Sequence, residues 1–312
     1  MGPFNDDFEQ RQGFSLLAVL LLLVLSMMLG SAIGSGTGYL IAHLKGISLT
    51  DLYQTFNAHS NLEERNLMRT ANLVAHLFTF ALPAVFVAIL LYRSGWARYY
   101  RLNRIVSPGF LLAGVFFLMG IFALSQLAYW LNQQLPLPDW ATGLEGKAGR
   151  LVKGLLTMES PAELVFSLLV VAVVPAIGEE LVFRGFLQQQ IERASGRPVA
   201  AIWISAFVFS AIHLQFAGLL PRFLLGAGLG YLFFWARSFW APAIAHFFVN
   251  ALQVAGLYFS GEELPEASMQ DINWPGILVS ALLVAGLGYY LYQHRTIIGP
   301  EAEEAQAKTN EP

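Results

Sequence analysis

Apolar residues in this chain collect in runs of roughly 17 to 25 with few charges, the length a helix needs to cross about 30 Å of hydrocarbon. Lipid offers no partner to backbone N–H and C=O groups, so such runs fold as helices that satisfy them internally. We place about eight spans, at 14–43, 70–92, 108–131, 162–184, 198–214, 219–235, 240–259 and 275–293, the limits of the sixth being the least defined. The expected fold class is all-α integral membrane, and composition agrees. The chain is 56% hydrophobic and only 12% charged, whereas soluble domains carry about 25% charged residues. The first run, from about Phe14 to Leu44, far exceeds the 7 to 15 or so apolar residues of a secretory signal, and Asp6, Asp7 and Glu9 spoil a basic leader, so it reads as a retained span.

Arginine placement orients the spans, because short cytoplasmic loops are enriched in Lys and Arg. Arg93, Arg98, Arg101 and Arg104 share one loop, and Arg193, Arg197, Arg237 and Arg295 fall in loops of the same parity. The loop at 260–274 carries Glu262, Glu263, Glu266 and Asp271 without a cation, which suits the opposite face. Both termini are then expected in the cytoplasm. A net charge of −3 with scattered cations excludes a nucleic-acid partner, and the absence of cysteine excludes disulfides and thiolate chemistry. The connection at 132–161 sets Lys147, Arg150 and Lys153 among Leu151, Val152, Leu155 and Leu156, the pattern of an interfacial amphipathic helix. Glycines around 34–38 and 226–230 mark close helix packing. The expected organisation is N-terminal spans over 1–161, a core over 162–260, and a last span with an acidic, disordered tail over 261–312.

Ionisable residues inside a bilayer are costly and point to function by default. The fourth run ends Gly178-Glu179-Glu180-Leu-Val-Phe-Arg184-Gly185. Glu180 and Arg184, at i,i+4, share a helix face as an ion pair, and Glu179 points away from it, as a general base requires. The fifth run ends Phe209-Ser-Ala-Ile-His213, and the seventh contains His246-Phe-Phe-Val-Asn250. If the fourth helix continues to about Ala194 and turns at 195–198, Glu179 and His213 lie level in an antiparallel hairpin. His246, a few residues past the loop at 236–239, joins them, which suggests one site open to the cytoplasm. His43, His59, His76 and His294 have no evident partner and read as interfacial or core residues.

Glu-Glu-x-x-x-Arg, Phe-x-x-x-His and His-x-x-x-Asn, in that order within about 70 residues and each on its own apolar helix, resemble the motif set of the CAAX-processing and bacteriocin-processing (CPBP, Abi or Rce1-like) intramembrane proteases. The resemblance covers 179–250 and implies an eight-span endopeptidase acting on a membrane peptide or protein, prenylated or otherwise hydrophobic. By this likeness Glu179 activates water, His213 orients it, and His246 and Asn250 stabilise the oxyanion. Glu180, Arg184 and Phe209 would support them. A prenylated tail suits a cytoplasmic site, since its lipid can rest in the bilayer. No cofactor is required on this reading. If a metal takes part, zinc on Glu179, His213 and His246 is the alternative. A proton- or cation-coupled transporter and a catalytically silent immunity or scaffold protein are the competing functions. His-Glu-x-x-His is missing, every Asp lies in a loop or tail, and Gly34-Ser35-Gly36 reads as packing, which disfavours the zinc site-2, aspartyl and rhomboid classes.

Overall fold

The computed structural model describes residues 15–134, 136–261 and 272–296. The acidic loop residues Glu262, Glu263, Glu266 and Asp271, the tail after Pro300 and the acidic residues before Phe14 lie outside them. The described residues form helices and no strand. In order these are α1 (Leu16–Leu44), α2 (Leu49–Thr55), α3 (Leu62–Tyr99), α4 (Pro108–Gln133), α5 (Asp139–Leu156), α6 (Pro161–Ser195), α7 (Pro198–Ala211), α8 (Leu219–Ala236), α9 (Trp240–Ser260) and α10 (Trp274–Gln293). Seven of them, α1, α3, α4, α6, α8, α9 and α10, are long and apolar enough to cross a membrane. The expected fifth span is represented by α7, whose 14 residues reach only about 21 Å at 1.5 Å per residue. Seven qualifying helices and one short apolar one therefore stand where eight spans were expected.

Local chemistry sets the ends. Ser107 and Ser160 cap α4 and α6 with their hydroxyls, each followed by a proline in the first turn, where the missing N–H has no intrahelical role. Gly196, at φ 64°, ends α6 in the left-handed conformation, and Pro198 opens α7, so the turn expected at 195–198 is present. Two helices are longer than their apolar runs. α3 starts at Leu62, well before 70, because its buried Arg65 and Arg69 have a partner in Glu163 of α6, at 2.9 and 2.8 Å. Arg69 also donates to the carbonyls of Leu155 and Thr157, tying α5 to the same network. The connection at 132–161 folds as the amphipathic α5, and the polar stretch at 45–69 contains the unexpected short helix α2.

Small residues set the helix spacing. A Cβ at Gly34 would sit 2.9 Å from the Phe78 side chain, and one at Gly38 would touch Ala71, so α1 lies against α3. Gly36, expected in this contact, meets nothing within 4 Å. A Cβ at Gly226 would meet Phe209 and Ala206, and one at Gly230 would lie 2.8 Å from Ile202, which brings α8 onto α7.

Among the described residues three π-helical turns interrupt the spans, at Leu77–Ala81 in α3 and at Leu169–Val173 and Phe183–Gln188 in α6. Such turns widen the helix and release carbonyls, and they are frequent at functional sites. The Phe183 carbonyl accepts from the Ser205 hydroxyl of α7 at 2.8 Å.

Candidate active site

Glu180 faces away from open space. Arg184 donates to its Oε1 at 2.9 Å and to the Gly226 carbonyl of α8 at 2.9 Å. The same Oε1 lies 2.9 Å from Nδ1 of His246 on α9. Glu180 and Arg184 are both completely buried, so each supplies the partner without which the other would be strongly destabilising. The expected i,i+4 pair is present, and it also orients a histidine. Against a carboxylate acceptor Nδ1 of His246 carries the proton, so its Nε2 offers an N–H only when the ring is doubly protonated.

Glu179, one residue earlier, turns the other way. Its Oε1 lies 3.1 Å from Nε2 of His76, and its Oε2 lies 4.0 Å from Nε2 of His246, too far for a direct hydrogen bond. The side chains of His76 and Glu179 are 13% and 9% exposed, so this carboxylate is largely withdrawn from solvent while keeping one oxygen uncommitted to His76. His76 stands one residue before the first π-turn and rests on Phe80, with ring centroids 4.5 Å apart. A Cβ at Gly178 would come within 3.4 Å of its Nδ1, so the glycine before the two glutamates makes room for this ring. The sequence reading of His76 as a core or interfacial residue is corrected here. No local spacing could reveal the contact, because its partner lies 103 positions away on another helix.

His213 follows the end of α7, where its Nδ1 lies 2.8 Å from the Phe209 carbonyl. A carbonyl only accepts, so in the neutral ring Nε2 is left as an acceptor. Phe209 meets Phe183, His213 and His246 edge to face, with centroids 5.2, 5.2 and 6.3 Å apart. Its other face receives the Arg184 guanidinium at 4.6 Å. The aromatic thus packs the Arg184 guanidinium and both imidazoles around one ring, while His246 also reaches Glu180 directly.

Asn250 donates through Nδ2 to the Val171 carbonyl at 3.1 Å. Pro175 explains why that carbonyl is available: four residues on, it has no N–H to give back. One of the two amide N–H groups of Asn250 is therefore committed to the backbone of α6.

Glu179, His213, His246 and Asn250 all line one cavity of about 970 Å³, together with Phe209, Ser125, Arg222 and Gln253. The four residues expected to act together are thus in one chamber. Among the described residues no three His, Asp or Glu side chains are grouped as a metal site. The chamber extends from Glu179 to Gln133 at the end of α4, Asn273 before α10, and Val152 and Leu155 on α5. These ends lie opposite the arginine-rich loops, none of whose residues lines it. The lining by itself assigns the chamber to neither side of the membrane, so the expected cytoplasmic opening turns on which face the arginines mark. The hairpin reasoning set the depth of Glu179 and left the direction of the opening undetermined.

Residues 161–252 match the family described as type II CAAX prenyl endopeptidase Rce1-like. The chain carries an Rce1-like domain. This domain holds the Glu179, Glu180 and Arg184 motif, His213, His246 and Asn250, whereas His76 lies outside it. The uncharacterized protein YpbD of Bacillus subtilis (strain 168) is 24% identical over 115 residues, 36% of this chain and 54% of that protein. The chain thus spans about half the length of that relative. No solved structure matches it. The matched family is one of proteases, and seven described helices long and apolar enough to cross a bilayer make this an integral multi-pass membrane protein.

Proposed function

We propose that this chain is an intramembrane endopeptidase that hydrolyses a peptide bond in a membrane-associated, hydrophobic or lipidated peptide, with Glu179 as the general base. One observation carries the reading: of two adjacent buried glutamates, one is consumed by Arg184 and His246 while the other meets the chamber with an oxygen uncommitted to His76. In this mechanism Oε2 of Glu179 takes a proton from water as the oxygen attacks the scissile carbonyl, and the proton then passes to the leaving amine. Nε2 of His213, an acceptor in the neutral ring, orients the same water. The second amide N–H of Asn250, and Nε2 of His246 whenever it carries a proton, supply donors to the developing oxyanion.

We read the reaction as metal-free, with both termini on the arginine-rich, cytoplasmic side. The donors left for a metal in the alternative would be Oε2 of Glu179 and the Nε2 atoms of His213 and His246. His76 on the first oxygen, Phe209 on one imidazole and Glu180 on the other supply the orienting contacts that the direct mechanism needs.

The test is cleavage of a fluorogenic farnesylated CAAX peptide by purified protein in detergent, where sidedness is abolished, with and without chelator. Removal of a general base costs roughly 10²- to 10⁴-fold in rate. Glu179→Ala and His213→Ala should each reduce turnover on that scale, and chelator should leave wild type unchanged. Loss of wild-type activity to chelator would restore the zinc alternative, and equal activity in all three proteins would overturn the site.

A further inference from the structure

Access to the chamber is one-sided. From Glu179 towards the arginine-rich face the space is closed by the buried side chains of Phe183, Arg184, Phe186 and Tyr100. Tyr100 is pinned by its hydroxyl to the Ala84 carbonyl at 2.7 Å. Behind this plug the arginine-rich loops join one another: Arg237 pairs with Glu192 at 2.9 Å, Ser238 donates to the Arg104 carbonyl, and the Trp240 indole donates to the Leu102 carbonyl. In the other direction the chamber continues between the far ends of α4 and α10 and is roofed by α5.

The arginine bias decides which face this is. Eight arginines flank the spans on the plugged side. The opposite side has Lys45, Arg222 in the first turn of α8 and the three cations of α5, five against eight, while its Arg65 and Arg69 are buried in the network with Glu163. Cytoplasmic loops are the ones enriched in Lys and Arg. We propose that the mouth of the chamber lies on the non-cytoplasmic face, so that the substrates are hydrophobic peptide segments presented from that side. A cytoplasmic prenylated tail would meet the plug. The substrate class rests on the protease reading, whereas the side of the mouth does not.

The natural absence of cysteine allows a direct test. Gln133→Cys and Asn273→Cys place single thiols at the mouth, and Ser195→Cys places one on the plugged face without removing a charge. Intact spheroplasts are treated with a membrane-impermeant maleimide, and a second sample is permeabilised first. Both mouth thiols are expected to label in intact spheroplasts, and the thiol at 195 only after permeabilisation. The reverse pattern, or labelling of the mouth thiols only after permeabilisation, would overturn the proposal. Cleavage is not read in this assay, so failure here is distinct from failure of the protease reading, which the Glu179→Ala comparison detects.

Discussion

At the residue scale the site depends on how two neighbouring carboxylates are given different surroundings. Glu180 receives a guanidinium and an imidazole, and Glu179 receives only the edge of His76 on one oxygen. A hydrogen bond to a charged group contributes about 1.5–3 kcal/mol, so the His76 contact is large enough to fix the carboxylate rotamer. His76→Phe keeps the ring that packs on Phe80 and removes the N–H. We expect kcat to fall by roughly 10- to 100-fold, since each 1.36 kcal/mol is about tenfold in rate, with KM little changed and stability lowered by no more than the about 1.5–3 kcal/mol of that one hydrogen bond. A fall in kcat accompanied by an equal loss of folded protein would make His76 a packing residue instead. The motif residues were legible because i,i+4 spacing is local. His76 was not, because a pairing between helices leaves no trace in either helix alone.

At the element scale, π-turns and prolines are the means by which apolar helices present polar groups to one another. The Val171 carbonyl is released by Pro175 and taken by Asn250, which gives Asn250 a structural task beside the catalytic one. The two tasks separate in a double-mutant cycle. Asn250→Ala alone should lower both activity and stability, the latter by about 0.5–1.5 kcal/mol for a lost, partly buried hydrogen bond. Pro175→Ala restores a backbone N–H four residues from Val171. In that background Asn250→Ala should cost less stability while the activity loss persists, as measured by thermal unfolding in detergent beside peptide cleavage. Additive stability losses would show that the proline does not release the carbonyl. Helix ends were the least legible feature. Run length began the second span at 70, eight residues inside α3, because nothing local announces that Arg65, Arg69 and Glu163 neutralise one another inside the fold. The expected fifth span is the shorter apolar helix α7.

At the scale of the whole molecule, the chamber has a fixed floor and a roof attached by separable contacts. One end of α5 is held by Arg69 through the Leu155 and Thr157 carbonyls. The other end is held where Glu145 accepts the Ala217 N–H at 2.9 Å and Trp140 meets Phe216 edge to face at 5.3 Å. The first attachment is buried and rests on two carbonyls held by one guanidinium, whereas the second consists of one hydrogen bond to a carboxylate, about 1.5–3 kcal/mol, and one aromatic pair, about 0.5–1.5 kcal/mol. If the substrate reaches Glu179 beneath α5, the roof must part before binding, and it parts at the weaker end. Trp140→Ala combined with Glu145→Ala removes about 2–4.5 kcal/mol of closing energy. That corresponds to roughly a 30- to 1,500-fold change in the opening equilibrium at 1.4 kcal/mol per factor of ten. The expected result is a rise in kcat/KM for long peptides, up to that factor, with little change for a short peptide able to pass beneath a closed roof. A roof that positions the substrate predicts the opposite, an equal loss for both lengths. The ratio of the two rates therefore distinguishes a gate from a clamp, and it does so without requiring that the natural substrate be known.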